Sequence, residues 1–261
     1  MTPGPDAELS DLLGAARASL AEWAEEGLES WEPVAPDPRE GPEPPAVLAL
    51  QGSPRTPPEP GPVPTNPAGS AGPGAPTPSL EQVRELLGDC TRCRLHEGRT
   101  QIVFGDGDPH ADLLFVGEGP GEQEDLRGIP FCGRAGDLLT SMIEKGLEIP
   151  RSSVYICNIV KCRPPGNRTP LADEVSACRR FLDGQIEAVQ PKVIVTLGKP
   201  ATSTLLGRDV AITKLRGTWQ EYRGIPVMPT FHPAFLLRQY TQENRRMVWE
   251  DLKAALTRAR S

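Results

Sequence analysis

No apolar run in this 261-residue chain approaches the roughly 20 residues that a bilayer-spanning helix needs, and its first residues lack the basic start and apolar core of a secretory signal. The expected compartment is therefore the cytoplasm, where six cysteines read as ligands or buried thiols rather than as disulfides. Histidine is scarce, with three in the chain, and a lone histidine is more often structural than chemical. A net positive charge is also missing. The overall −7 would speak against a polyanionic partner if it were evenly spread, but residues 1–78 carry Arg17, Arg39 and Arg55 against twelve Asp and Glu, which is −9, so residues 79–261 stand at +2. A near-neutral domain with local Arg and Lys clusters is compatible with a modest nucleic-acid footprint without demanding one.

Bulky apolar residues are few in residues 33–78, where sixteen of forty-six positions are proline. Such a segment cannot bury enough surface to offset its ordering entropy and is expected to be a disordered, partly polyproline linker. Before it, within residues 1–32, Leu9, Leu12, Leu13, Ala16, Leu20 and Trp23 recur at helical spacing opposite Asp and Glu. This predicts one amphipathic helix on a tether. Packing on its own domain and docking onto a protein partner both remain open, since short isolated helices are weak. One folded domain is left, residues 79–261, expected to act as a monomer.

Strand-like runs recur in that domain at Leu113 to Val116, Val154 to Val160, Val193 to Leu197 and Val227 to Phe231, with helical patterns between them at Arg134 to Gly146, Pro170 to Val189 and Pro200 to Leu206. A short helical segment, Leu80 to Leu87, precedes them and a last helix lies near Glu243 to Arg258. Thr169 and Pro170 read as the N-cap and first position of the helix that carries Cys178. Alternation of this kind predicts a three-layer α/β/α sandwich around a central, mainly parallel four-stranded sheet, with the ligand site at the carboxyl edge of the strands.

Two segments sit at that edge. Gly117-Glu118-Gly119-Pro120-Gly121-Glu122-Gln123-Glu124-Asp125 follows the first strand, with Gly128-Ile129-Pro130-Phe131 behind it; Phe231-His232-Pro233-Ala234 closes the fourth. The glycines let the backbone approach a flat ligand, and the carboxylates sit beside it. Asn158 is a polar amide inside the apolar strand Tyr155-Ile156-Cys157-Asn158-Ile159-Val160 and needs a partner in the protein or in a ligand. Asp125 and Glu122 read as solvated loop charge. Cys90 and Cys93 form a C-x2-C pair; sixty-eight residues intervene before Cys162 and fifteen more before Cys178. Four such thiolates could cage one zinc ion or a [4Fe–4S] cluster, and spacing alone leaves both open. Cys132 and Cys157 read as packing residues.

Over residues 80–258 these motifs resemble the family 4 uracil-DNA glycosylases, the iron–sulfur branch of the uracil-DNA glycosylase superfamily. The first motif departs from the usual G-E-A-P-G-x-x-E-D only at Gly119, and H-P-A at 232–234 matches unchanged. The resemblance implies the superfamily fold, a [4Fe–4S] cluster on Cys90, Cys93, Cys162 and Cys178, and base-excision repair of uracil-containing DNA, single- or double-stranded. It further implies that Phe131 stacks the flipped base, that Asn158 reads the uracil edge, and that His232 donates to the leaving base. Glu118 would line the pocket with the backbone of Gly119, while Glu124 would face the water side. Lys161, Arg163, Arg168, Lys214 and Arg216 are candidates for phosphates, and Phe235, Leu236 or Leu237 for an apolar wedge, although at least one of those three must be core. A non-catalytic iron–sulfur or zinc protein that only binds nucleic acid would explain the cysteines but not the coincidence of Glu118, Asn158 and His232. The covalent uracil-binding branch carries a K-R-R-I-H insertion, which does not occur here.

Overall fold

Strand by strand, the buried runs of the sequence assemble into a sheet. In the computed structural model, which describes residues 77–261, β2 (Leu113–Gly117), β3 (Tyr155–Asn158), β4 (Val193–Leu197) and β6 (Ile225–Thr230) lie parallel in the order β3-β2-β4-β6. The expected helix within residues 1–32 and the proline-rich segment up to residue 76 lie outside the described residues. Two short antiparallel strands extend the expected four to six: β1 (Asp106–Gly107) on β3 and β5 (Gln220–Tyr222) on β6. Their shortness and weak apolar pattern left no strand signal to read.

Alternate strand residues face opposite sides, which builds two cores. Leu114, Val116, Cys157 and Ile194 pack under α1 (Leu80–Leu87), α4 (Ala172–Val189) and α5 (Gly198–Leu206). Leu113, Phe115, Ile156 and Val195 pack under α3 (Arg134–Ser141) and α8 (Gln242–Arg260). Burial on both faces is why these strands read as continuous apolar runs, and each fully buried large side chain contributes on the order of 1.5–3 kcal/mol.

Helix starts follow local chemistry, with one correction. Ser79 and Gln82 form a reciprocal capping box that opens α1. The helix carrying Cys178 does not start at Thr169 and Pro170 as their types suggest; it starts at Ala172, because Glu174 reaches back 2.8 Å to the backbone N–H of Leu171 and supplies the cap. Shorter helices α2 (Glu122–Arg127), α6 (Ile212–Leu215) and α7 (Pro233–Arg238) escaped the sequence pattern because each spans fewer than two turns. Among the described residues, no helix is long and apolar enough to cross a membrane.

Candidate active site

The carboxyl ends of β2, β3, β4 and β6 open onto a cleft of about 560 Å³. Glu118 and Gly119 enter it from β2, Asn158 from β3, Gly198 from β4, and Phe231 and His232 from β6. Asn158 pairs with Gly117 across the sheet. A Cβ on Gly117 would stand 2.4 Å from Asn158 Oδ1 and 2.6 Å from the Phe131 ring, so only glycine lets the amide and the aromatic ring converge there. A Cβ on Gly119 would come 3.0 Å from Val160 Cγ2, which favours the smallest residue at that position too.

Asn158 is 1% exposed, yet its Oδ1 has no hydrogen-bond partner. A buried acceptor left unmade costs roughly 1–3 kcal/mol, a penalty that a ligand N–H in the cleft would remove. Phe131, also buried, has φ of 51°, an uncommon conformation for an aromatic residue. The loop around it is held from one side by Glu124. Glu124 Oε1 accepts the backbone N–H groups of Cys132 and Gly133, both at 3.0 Å, and Oε2 accepts that of Gly121 at 3.1 Å. On the other side, a Cβ at Gly136 would overlap the Phe131 carbonyl oxygen at 1.9 Å.

His232 caps α7, and its Nδ1 accepts the backbone N–H of Ala234 at 3.1 Å. Burial foremost, then the charge of Arg238, pushes its pKa down to about 4. The ring is thus neutral near pH 7, and with Nδ1 committed as acceptor its proton resides on Nε2. Its ring centroid lies 5.5 Å from that of Phe131. Stacking surface, unpaired amide and neutral N–H donor therefore line one cleft with the half-buried Glu118.

Other expectations change. Lys161 is fully buried and donates to Asn158 O at 2.7 Å and to Gln185 Oε1, so it cannot meet a phosphate. Arg216 pairs with buried Asp251 and donates to Met247 O at 2.9 Å. Leu236 is fully buried, which removes it as a wedge, whereas Leu237 is 39% exposed. Asp125 is not solvated loop charge: it is buried and accepts the Thr100 N–H on both oxygens, at 2.9 and 3.0 Å. Glu122 is exposed and lies 3.7 Å from Arg163. Arg163 also donates to Asn167 Oδ1, and Arg168 lines the cleft while gripping Glu174 through both guanidinium nitrogens. Lys214 is exposed outside the cleft lining. Arg238, which the motif reading passed over, lines the cleft as well. It lies four residues after Ala234 on α7, and helical periodicity could have placed it on that face.

Cys162 and Cys178 belong to the core under α1 and α4, and Cys90 and Cys93 pack against it. The half-buried Cys93 feels the charge of Cys90, and the buried Cys162 and Cys178 feel that of Cys93. Burial pushes the Cys178 thiol up to about 11. Arg92 donates to Cys90 Sγ at 3.2 Å and Arg99 to Cys162 Sγ at 3.4 Å. Among the described residues, no three His, Cys, Asp or Glu form a ready ligand set for a single metal ion. Cys157 is buried in the core and Cys132 is half-buried beside Phe131.

Compared with known proteins, residues 104–253 match the model of the uracil DNA glycosylase superfamily. A type-4 uracil-DNA glycosylase of Thermotoga maritima is 51% identical over 178 residues, which is 67% of this chain and 92% of that protein. Relatives of the same description from Sulfurisphaera tokodaii and Saccharolobus solfataricus are 46% and 42% identical over 183 residues, 67% of this chain and 82% and 84% of theirs.

Proposed function

The chain belongs to the uracil DNA glycosylase superfamily, and from that premise we propose that it excises uracil from DNA by hydrolysing the N-glycosidic bond and leaving an abasic site. The observation that carries this reading is the unpartnered, buried Oδ1 of Asn158 in the cleft that Phe131 and the neutral His232 also line. Uracil presents an N3–H donor beside an O4 acceptor. The Asn158 amide can accept from the first and donate to the second, whereas cytosine offers the opposite pattern at those positions. Phe131 would stack the base once it leaves the duplex.

Bond cleavage sends electrons into the base and leaves a cationic sugar. His232 Nε2–H, directed at uracil O2, would strengthen its hydrogen bond as charge builds there, so it acts mainly on the transition state. A neutral donor suits this role, because it binds the uncharged ground-state carbonyl only weakly and, being far less acidic than an imidazolium, keeps its proton as the anion departs. Glu118 is the carboxylate we assign to steadying the sugar cation and holding water. Glu124, with its oxygens accepting three backbone N–H groups, is better suited to holding the Phe131 loop than to activating water. Arg163, Arg168 and Arg238 would meet phosphates, and Leu237 would fill the gap that the flipped base leaves.

Cys90, Cys93, Cys162 and Cys178 suit a [4Fe–4S] cluster: four neighbouring thiols, two of them hydrogen-bonded by arginines. Bound there, the cluster would cross-link a loop, the segment after β3 and α4. Glycoside hydrolysis transfers no electrons, so a structural part is the one we assign. We assign the protein to the cytoplasm, where thiols stay reduced and able to hold such a cluster.

The test is a uracil-containing oligonucleotide incubated with purified protein and then cleaved with alkali at any abasic site. Strand breaks at uracil and none at cytosine are expected. A folded protein that leaves the uracil strand intact would overturn the proposal.

A further inference from the structure

Lys161 has a relative exposure of 0%, and its ammonium is served by two uncharged oxygens, Asn158 O at 2.7 Å and Gln185 Oε1. Burying an ammonium against neutral acceptors is expensive unless an anion lies near. Two links define the place. Its side chain reaches back three residues to the carbonyl of the amide that lines the cleft, while its backbone N–H faces the Cys178 thiol and its chain neighbour is Cys162. Gln185 continues the chain inward, donating to Phe104 O at 2.9 Å and Tyr155 Oη at 3.1 Å, and Val103 N–H donates to Lys161 O at 2.8 Å.

We propose that Lys161 is a positioning residue for base recognition, a strut that ties the backbone of Asn158 to the cysteine set and so fixes where the Asn158 amide stands in the cleft. This rests on the uracil-excision reading above. Asn158 is the last residue of β3; after it Ile159 and Val160 still donate to Gly117 O at 3.0 Å and Glu118 O at 3.4 Å, and the ammonium adds a tie of its own, taking the Asn158 carbonyl on one side and Gln185 of α4 on the other. Four cysteines bound as thiolates would place negative charge near this cation, so an ordered cysteine set and an ordered Asn158 support one another.

The test uses the full chain with Lys161→Met, which keeps length and apolar volume and removes the donors. Four readouts accompany it: inhibition of excision by free uracil, single-turnover excision, binding of a uracil-free oligonucleotide, and visible absorption with iron content. The inhibition constant for free uracil should rise about tenfold and excision should fall in parallel, while uracil-free DNA binds within about twofold of wild type. Gln185→Leu should shift uracil inhibition in the same direction, and the double variant should show less than the sum of the two. A folded Lys161→Met protein with wild-type uracil inhibition, even one with a lowered melting temperature, overturns the assignment. Should Lys161→Met not fold, unchanged uracil inhibition in Gln185→Leu overturns it equally. Wild-type protein that excises no uracil would instead sink the function reading, and the strut with it.

Discussion

Glu124→Ala separates a carboxylate that activates water from one that holds a loop. Removing the side chain leaves the N–H groups of Gly121, Cys132 and Gly133 without their charged acceptor. Hydrogen bonds to a charged group contribute about 1.5–3 kcal/mol each. The site is half-buried, so water recovers a large part, and we expect a stability loss of ~2–4 kcal/mol, read as a lower melting temperature. The loop consequence is separate. Phe131 holds φ of 51°, a conformation costing about 1–2 kcal/mol for a residue with a side chain, and the two N–H groups directly after it are those that Glu124 grips. Released, Phe131 relaxes, and returning the ring to the stacking position opposes catalysis by that same amount, about 5- to 30-fold in rate. Thermal melting followed by single-turnover excision on a uracil oligonucleotide measures both. If melting is unchanged while the rate falls by 10²–10⁴, the range for losing a general base, then Glu124 acts on water and the loop argument is wrong.

Asn158→Asp should relax the discrimination between uracil and cytosine or abolish excision, because a carboxylate cannot donate to O4; wild-type rates in a variant of normal melting would refute the edge-reading role. His232→Ala should slow the chemical step by about 10²–10³ with little change in DNA binding, which pre-steady-state kinetics distinguish. Because the folded state holds this imidazole at about 4, below its ordinary 6.5, the unfolded chain binds the extra proton between those values; wild-type stability should therefore fall as pH drops from 6.5 towards 4, and His232→Asn should lose less over that window. Purified without oxygen, the protein should be brown with about four irons per chain, and Cys178→Ser should lose iron; a colourless protein with one zinc would refute the cluster. Deleting residues 1–78 should leave excision from a short oligonucleotide largely intact, and a folded truncation that loses most activity would refute the tether reading.

Much of this molecule is written locally. Strands buried on both faces show as unbroken apolar runs, so β2, β3, β4 and β6, their parallel pairing, and the edge where Glu118, Asn158 and His232 emerge could be read from residue types in order. The helical pattern of Leu80 to Leu87 announced α1 in the same way. What the sequence could not carry is the far partner of each polar group. Lys161 and Arg216 look like phosphate ligands until Gln185 and Asp251, 24 and 35 residues on, take them inside. Asp125 looks solvated until the N–H of Thr100, 25 residues earlier, claims it, and Glu124 looks free until the chain returns at residues 132 and 133. Leu236 and Leu237 are the same residue type one step apart, and only the packing of α7 decides that the first is core and the second faces solvent. Backbone pattern is a property of neighbours along the chain, and the sequence by itself determined that much; charge compensation and burial depend on what the fold brings within 3 Å, which only the tertiary structure decided.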